Sequence, residues 1–248
     1  MSGDKKLMRV AGLPAVSALF ANAPDRVERL FFTEKMKTQT GSFTAILARR
    51  HKPYRLLGDE ELERVAGSVM HGGVVAFAEP AEISDFDPIL AAEWAKDGQP
   101  LVMLDGIGNP QNLGAIIRSA AFFGHKRIVL SDHPSQALPS DAAYRIAQGG
   151  MEHIELYRTQ RFAAVLKQIQ GIYRIIGTAL EGGTAMNSLP KSDLPDAIVL
   201  GNEERGLPPA TLKACDVIAT IPGGGAVQSL NVSASAAIFL YALTAHRT

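Results

Sequence analysis

Two side chains that can bind anions and hydroxyl groups, Asn112 and Arg118, stand in the glycine-containing stretch LDGIGNPQNLGAIIRSAAFFG at 104–124. Asn112 follows a turn with two glycines and a proline, so we predict that it caps the helix that begins there. Arg118 lies six residues further on among small and apolar residues. Such an arginine needs an anionic partner or a position at the edge of the helix. A surface arginine whose stem covers apolar area explains the pattern equally well.

Two further stretches place polar residues after apolar runs. The stretch IVLGNEERGL, 198–207, ends its run at a glycine and continues into Glu203. Glycine at a strand end lets a ligand approach the backbone closely. In TIPGGGAVQSLNVSASAAIFLYAL, 220–243, a glycine loop leads to Ser229 and Asn231 at the start of a long helix. A helix start suits an anion, but taken singly the two stretches are also explained by solvated charges and by a helix cap.

These stretches belong to a regular alternation of short apolar strands and helices that begins at residue 101. We predict strands at 101–104, 127–130, 153–157, 173–180, 197–201 and 217–221. We predict helices near 112–123, 140–148, 160–170, 208–214 and 232–245. This alternation indicates a parallel sheet covered on both faces. Ligands of such sheets bind beyond the carboxyl ends of the strands, where each polar stretch is expected.

The first hundred residues are organised differently. Residues 1–80 alternate helical and strand patterns on a smaller scale, which predicts a small α/β domain. Residues 81–100 are acidic and contain two prolines, so we interpret them as a linker with a short helix around 89–96. Residues 101–248 then form the second domain.

Charge is unevenly distributed along a chain whose net charge is zero. Residues 1–58 carry a net charge of +7, whereas residues 59–100 carry −8. A basic segment of this kind hints at an anionic partner such as a nucleic acid. On charge alone, a solvated helix face is the simpler explanation.

The composition limits the class of protein. The chain has 248 residues and is 46% hydrophobic, which is too apolar for a disordered protein. No apolar run approaches the roughly 18 residues of a membrane span, and no secretory signal is visible. We therefore predict a soluble, cytoplasmic protein. The single cysteine, Cys215, excludes an intrachain disulfide, and the histidines lack the spacing of a metal site, so we expect no metal.

Taken together, the three stretches resemble the SpoU branch of the SPOUT methyltransferases. They read DGIGNPQNLGAIIR, GNEERG and IPGGGAVQSLN, in the order and at the end of the chain that the family shows. The resemblance implies an α/β fold whose parallel sheet carries a C-terminal trefoil knot of the SPOUT type at 101–248. It also implies a small α/β domain that binds the RNA substrate at 1–80. The implied activity is methyl transfer from S-adenosylmethionine to a ribose 2′-hydroxyl of rRNA or tRNA, usually by a homodimer.

The resemblance also implies roles for residues of this sequence. Catalytic positions are matched by Arg118, Asn112, Glu203, Ser229 and Asn231. Among them, Arg118 would handle the hydroxyl and the adjacent phosphate, and Glu203 and Asn231 would orient Arg118 or the ribose. Backbone groups that hold the cofactor's adenosine are matched by Gly201, Ile221 and Leu230, and the strand end Thr178, Ala179 and Leu180 would line the same pocket.

Two other functions remain open from the sequence. The fold could be kept by a catalytically weak or inactive RNA-binding protein that assists ribosome assembly. Retention of the polar residues that match the family's catalytic positions argues against it. An α/β protein that binds a ligand other than nucleic acid is disfavoured by the combination of the three stretches.

Overall fold

The computed structural model describes residues 7–245, which fold into short strands and helices. The elements of the first part are β1 (Met8–Ala11), α1 (Leu13–Asn22), β2 (Val27–Phe32), α2 (Gly41–Arg49), β3 (Tyr54–Leu56), α3 (Asp59–Ala66) and β4 (Val74–Ala78). They are followed by β5 (Ile83–Asp85), α4 (Pro88–Lys96), β6 (Leu101–Asp105), α5 (Pro110–Phe122), β7 (Arg127–Leu130), α6 (Asp141–Ala147), β8 (Glu155–Arg158), α7 (Phe162–Ile169) and β9 (Arg174–Thr178). The last are β10 (Thr184–Ala185), β11 (Asp196–Gly201), α8 (Pro209–Leu212), β12 (Val217–Thr220) and α9 (Val232–Ala245).

Contacts divide the chain into two compact units. Unit 1 contains the chain up to Ala81 and also Pro139–His153. Unit 2 contains Glu82–Leu138 and the chain from Ile154 onward. The chain therefore leaves unit 1, returns to it for one short segment that carries α6, and leaves it again.

Unit 1 is built on a four-stranded sheet in the order β1-β4-β2-β3. Strand β4 runs antiparallel to both of its neighbours, and β3 is parallel to β2 at the edge. Alternation along β4 places Val75 and Phe77 on one face of the sheet, where Leu62 of α3 packs against them. The opposite face carries Val10, Leu30 and other buried side chains. Both faces are thus covered by apolar residues.

A buried polar cluster ties the returning segment into unit 1. Arg26 donates to Glu152 Oε2 at 2.6 Å and to the Tyr144 hydroxyl at 2.9 Å. The same hydroxyl accepts from the backbone N–H of Ala81 at 2.7 Å. The Glu152 side chain is 3% exposed, and its Oε1 has no hydrogen-bond partner among the described residues. We call Arg26, Tyr144 and Glu152 the buried arginine cluster.

Unit 2 is built on an eight-stranded sheet in the order β10-β12-β9-β11-β6-β7-β8-β5. Each neighbouring pair is parallel. The central strand β6 is buried along its whole length and β11 at every position after Asp196, which explains why their sequences are nearly continuous apolar runs. This confirms the predicted α/β class with a parallel sheet.

The segment 81–100 differs from the predicted linker. Its strand β5 pairs with β8, with Ile83 opposite Leu156. Its helix α4, close to the predicted helix at 89–96, buries Ala91 and Trp94 in the core of unit 2. The Trp94 ring lies 4.9 Å from that of Tyr157, centroid to centroid. Ladder hydrogen bonds and apolar burial therefore make this segment an integral part of unit 2.

The predicted domain boundary at residue 100 also places 139–153 in the wrong unit. This segment was assigned to the second domain because it follows β7 in the alternating pattern. In the structure it packs with unit 1, where the Arg9 N–H donates to Asp141 Oδ1 at 2.9 Å. Its partners lie between 63 and 132 residues earlier, beyond the reach of local periodicity.

Every helix described is too short or too polar to cross a membrane.

Candidate active site

The strand order of unit 2 brings the ends of β12, β9, β11 and β6 side by side. Gly201, the last residue of β11, stands opposite Asp105, the last residue of β6. Thr178 at the end of β9 stands opposite Ala219 of β12. Because the strands are parallel, the loops that follow them leave from one edge of the sheet. Each of the three polar stretches contains one of these loops.

The helix that follows β6 is capped by Asn109, which corrects the expectation that Asn112 caps it. Asn109 Oδ1 accepts from the N–H of Gln111 at 2.8 Å, and Pro110 occupies the first helical position. Proline suits that position because its missing N–H would have no helical partner there. Asn112 consequently lies in the first turn, where its amide is free to reach across the loop.

Asn112 joins two residues that are remote in the sequence. Its Nδ2 donates to Glu203 Oε1 at 2.8 Å, and its Oδ1 accepts from Asn231 Nδ2 at 3.1 Å. A carboxylate only accepts, so the bond to Glu203 requires the amide nitrogen of Asn112 to face it. We call Asn112, Glu203 and Asn231 the amide–carboxylate cluster. Three of the five residues expected at the catalytic positions therefore meet at the sheet edge.

Two side chains that sequence reasoning missed hold the loop beneath this cluster. Asn202 Nδ2 donates to the Gly106 carbonyl at 2.8 Å, and Asn202 Oδ1 accepts from the N–H groups of Glu204 and Arg205. Gln136 Oε1 accepts from the N–H of Gly106 at 2.9 Å. The position of Asn202 in the turn after a strand was a usable signal, since asparagine side chains commonly bond turn backbones.

The third stretch contributes Asn231 and Ser229 in different ways. Asn231 Oδ1 accepts from the N–H and from the hydroxyl of Ser233, at 2.8 and 2.6 Å, and so caps α9. Ser229 is exposed and makes no hydrogen bond within residues 7–245. The structure brings Asn231 to the cluster and leaves Ser229 beside it in the loop.

Arg118 is not part of the cluster within this chain. It lies six residues beyond Asn112, which on a helix is about 9 Å along the axis and about 120° around it. Its side chain is exposed and forms no ion pair or hydrogen bond with any described residue. Glu203 and Asn231, which are expected to orient Arg118 or the ribose, both bond Asn112 within one chain.

The residues expected to hold the cofactor lie at three adjacent strand ends. Thr178 donates to the Val199 carbonyl at 3.0 Å, and the Ala179 N–H donates to the Ala219 carbonyl at 3.0 Å. Leu180 and Leu230 are 60% and 51% exposed, and Ile221 is half-buried. Within the part of the chain described, no hydrogen bond uses a backbone group of 221–230. The loops after β9 and β12 thus carry both exposed apolar side chains and backbone groups without hydrogen bonds to any described residue.

Gly201 has a steric reason to be glycine. A Cβ on this residue would lie 2.6 Å from the Gly206 carbonyl carbon and from the Leu207 nitrogen. Asn202 and Gly206 exchange two backbone hydrogen bonds, at 3.1 and 3.0 Å, and so close the turn onto the strand end. The glycine therefore allows the tight turn that carries Glu203 to the cluster.

Cys215 offers no nucleophile to this site. Burial above all, together with the carboxylates of Asp216 and Asp105, raises the pKa of its thiol to about 12. The thiol donates to the Thr211 carbonyl at 3.2 Å. Within residues 7–245, no three His, Cys, Asp or Glu side chains are grouped so that they could hold a metal ion.

Two families of known proteins match the sequence of this chain. The sequence pattern of the SpoU rRNA methylase family matches residues 99–241, which is more than half of the chain. This protein belongs to the SpoU rRNA methylase family. The sequence pattern of a second family, the RNA 2′-O ribose methyltransferase substrate-binding domain, matches residues 9–84. The predicted family and the predicted enzyme class, an RNA 2′-O-methyltransferase, are confirmed.

Two relatives are similar in sequence to nearly the whole of this chain. The 23S rRNA (guanosine-2′-O-)-methyltransferase RlmB of Pseudomonas aeruginosa is 31% identical over 97% of this chain and 97% of its own length. The uncharacterized tRNA/rRNA methyltransferase YfiF of Escherichia coli O157:H7 is 32% identical over 94% of this chain. The match spans 66% of that relative's length.

A solved rRNA methyltransferase has a similar fold. The crystal structure of the AdoMet-bound rRNA methyltransferase from Sinorhizobium meliloti aligns with a TM-score of 0.78 and 21% identity. The alignment covers 98% of this chain and 88% of the other. At this identity the likeness concerns the fold alone.

Proposed function

We propose that this SpoU protein transfers the methyl group of S-adenosylmethionine to a ribose 2′-hydroxyl of ribosomal or transfer RNA. The observation that carries the proposal is the amide–carboxylate cluster, which gathers one residue from each polar stretch at the carboxyl edge of the sheet. The full-length similarity to a 23S rRNA methyltransferase of Pseudomonas aeruginosa supports an RNA substrate.

The loops after β9, β11 and β12 suit the proposed cofactor. Exposed Leu180 and Leu230 offer apolar contact to an adenine ring, and the unbonded backbone of 221–230 offers donors and acceptors to its edges. When bound, S-adenosylmethionine supplies a methyl group on a positively charged sulfur. Gly201 and Ile221 then contribute backbone groups, and Thr178 and Ala179 line the pocket.

The residues of the chain would position and activate the ribose. Methyl transfer is an in-line displacement, so these residues would hold the 2′-oxygen in line with the methyl–sulfur bond that breaks. The proton of the hydroxyl would pass to the adjacent phosphate. Glu203 and Asn231 accept and donate hydrogen bonds at the cluster, and Asn112 fixes their orientation. Arg118 is a permanent cation that clamps the adjacent phosphate and stabilises negative charge that develops on the 2′-oxygen. Ser229 adds a hydroxyl from the loop.

Two copies of the chain would complete this site. Phe122 of α5 and Tyr241 of α9 are 82% and 61% exposed, and Phe123 contacts both rings, at 5.1 and 5.8 Å between centroids. Large exposed aromatic residues that adjoin one another are typical of a protein interface. Arg118 precedes Phe122 by one helical turn, so it lies on the same exposed side of α5. A homodimer through this patch would bring each Arg118 to the partner's cluster.

The N-terminal unit, the knot and the location in the cell complete the proposal. The small α/β unit at the N-terminus would bind the RNA, as the name of its domain family indicates. The chain segment after β11 would pass through a loop to form the trefoil knot. The protein would act in the cytoplasm, where ribosomal and transfer RNA are assembled and used.

Transfer of tritium from methyl-labelled S-adenosylmethionine to RNA tests the function. The RNA comes from cells that lack the protein, and the labelled nucleotides are mapped by their resistance to alkaline cleavage. A ribose-methylated position that appears only with the protein supports the proposal. RNA binding without any transferred label would instead support the assembly factor.

Mixing two inactive variants tests the shared site. Arg118→Ala chains keep the cluster, and Glu203→Ala chains keep the arginine. If Arg118 serves the partner's cluster, co-refolded mixtures regain methyl transfer. If it serves its own chain, the mixture stays as inactive as each variant.

A further inference from the structure

Unit 2 contains a cavity of about 410 Å³ that the proposed function leaves unused. It opens at the carboxyl ends of β6, β7 and β8, beside the amide–carboxylate cluster and separate from its residues. Small-molecule sites in α/β proteins have volumes of this order and lie at this edge of the sheet. Its polar wall consists of Asp105, Asp132, His133, Arg161 and Thr211.

Asp105 presents an unused acceptor to this cavity. The residue is 3% exposed, and its Oδ2 accepts from the Thr211 hydroxyl at 2.6 Å. Its Oδ1 has no donor among residues 7–245, yet it is not among the fully enclosed unpaired atoms of that part of the chain. The free oxygen therefore keeps its access through the cavity that Asp105 lines. A nearly buried carboxylate oxygen is stabilised when a ligand donates a hydrogen bond to it.

The second carboxylate of the wall is already satisfied. Asp132 Oδ2 accepts from the N–H of Arg161 at 2.9 Å, and its Oδ1 accepts from the N–H of Phe162 at 3.4 Å. Asp132 thus holds the start of α7 and the backbone of Arg161, which adopts a positive φ of 54°. The Arg161 guanidinium forms no ion pair with any described residue and remains available as a donor.

His133 adds a second donor to the wall. Its Nδ1 accepts from the N–H of Ser135 at 3.1 Å, so the neutral ring carries its proton on Nε2. The ring lies against the backbone at Gly106, where a Cβ would come within 3.1 Å of Nδ1. The cavity therefore combines one carboxylate acceptor with donors from His133 and Arg161.

This pattern selects among ligand classes. A phosphate would face the Asp105 carboxylate and be repelled. A cation would find one free carboxylate oxygen, where Mg²⁺ and Ca²⁺ need several oxygen ligands. A nucleobase with an exocyclic amino group matches the acceptor, and its ring nitrogen or carbonyl oxygen matches the donors. Uracil fits poorly, because two carbonyl oxygens flank its single N–H.

We propose that this cavity binds an amino-bearing nucleobase of the RNA substrate, with Asp105 Oδ1 accepting from the amino group. The inference rests on the proposed function only in that RNA supplies the base. The cavity wall continues into the cluster through Gly106, whose carbonyl accepts from Asn202, the neighbour of Glu203. The base therefore belongs to the methylated nucleotide or to one next to it.

Titration with four mononucleotides tests this cavity without cofactor or methyl transfer. AMP, CMP, GMP and UMP are added to the full-length protein, and amide signals of 105–108 and 133 are followed by NMR. We expect the three amino-bearing nucleotides to bind about tenfold more tightly than UMP, as one charged hydrogen bond predicts. Equal affinity for all four, or no saturable shift of these amides, overturns the proposal.

The variant Asp105→Asn gives the sharper readout. Its carbonyl oxygen can still accept from Thr211, so the amide N–H₂ then faces the cavity and offers a donor. We expect the order of affinities to reverse, so that UMP binds most tightly, because its carbonyl oxygens can accept from this donor. A purely structural role of Asp105 would weaken all four nucleotides alike and overturn the proposal. Glu93→Gln, which removes an equal charge from the exposed side of α4, should leave the order of the four affinities unchanged.

A second variant covers the case in which Asp105→Asn does not fold. Arg161 is exposed, so Arg161→Ala should fold, and it should weaken all four nucleotides several-fold without changing their order. Unchanged affinities would overturn the proposal. A protein that methylates RNA but fails these titrations refutes the cavity alone. A protein that passes them but transfers no methyl group refutes the proposed function alone.

Discussion

The two polar clusters of this SpoU protein, one in each unit, join residues that are far apart in the sequence but differ in burial. The buried arginine cluster of unit 1 encloses Glu152, whose side chain is 3% exposed. The amide–carboxylate cluster of unit 2 stays open, since Asn112 and Glu203 are half-buried and Asn231 is exposed. An enclosed charge must be paired for the fold to be stable, whereas an open cluster can lose a member and remain folded. Burial thus separates a cluster that holds the fold from one that is available for chemistry.

Opening the buried pair should have the largest effect. Arg26→Leu leaves the Glu152 carboxylate enclosed without its cation, so the free energy of unfolding should fall by about 3–5 kcal/mol. The loss should be larger at pH 8 than at pH 5, where Glu152 can take up a proton instead. Urea denaturation followed by circular dichroism measures both values.

The control for this change is an exposed ion pair of the same unit. Lys37→Met opens the contact between Lys37 and Glu34, and it should cost less than about 1 kcal/mol. If Arg26→Leu cost no more than Lys37→Met, burial would not distinguish the clusters.

Removal of the exposed arginine should affect activity and not stability. Arg118→Ala should lower kcat/KM for RNA methylation by about 10²–10³-fold, because it removes a donor that stabilises developing negative charge. The unfolding midpoint should stay within error, since Arg118 has no partner in residues 7–245. Lys167→Ala removes another exposed cation from a helix of unit 2 and should keep full activity. Full activity of Arg118→Ala would refute its proposed role.

Truncation at the centre of the open cluster should have a smaller effect. Asn112→Ala removes the bonds to Glu203 and Asn231, and kcat/KM should fall about tenfold, or ~1.4 kcal/mol. The free energy of unfolding should change by less than that amount. Asn22→Ala, at an exposed asparagine of α1, is the matched control. A variant that unfolds but keeps its activity per folded molecule would show that this cluster, too, is structural.

The smallest effect concerns the pH dependence of stability. Burial raises the pKa of Glu152 above its ordinary value of 4.5, and Arg26 lowers it by less. The folded protein therefore holds a proton on Glu152 that the unfolded chain has already released. Stability should fall as the pH rises from about 4.5 through the raised pKa, by at most ~1.4 kcal/mol per pH unit. Glu152→Gln should flatten this part of the profile, and an unchanged slope would contradict the assignment to Glu152.

Much of unit 2 could be predicted because its strands are continuous apolar runs. The strand at 127–130 and the helix at 232–245 were predicted with the observed bounds. The short strands β1, β3 and β5 were missed, since three or four residues carry too little periodicity and the side chains of β3 are exposed. Asn109 was missed as the cap of α5 because a second asparagine, Asn112, lies three residues further on and periodicity does not separate the two. The signal was the proline itself, which favours the residue before it as the cap.

The sequence alone determined the central strands of the sheet of unit 2, the helices between them, the polar loops after the strands and the family to which the chain belongs. These properties depend on local periodicity, turn chemistry and the order of short motifs. Only the tertiary structure decided that Asn112 bonds Glu203 and Asn231, that 139–153 packs with unit 1, and that Asp105 keeps one oxygen free in a cavity. Hydrogen-bond partners and cavities depend on distances of a few ångströms between segments about a hundred residues apart. Strand order and packing set those distances, and local sequence does not encode them.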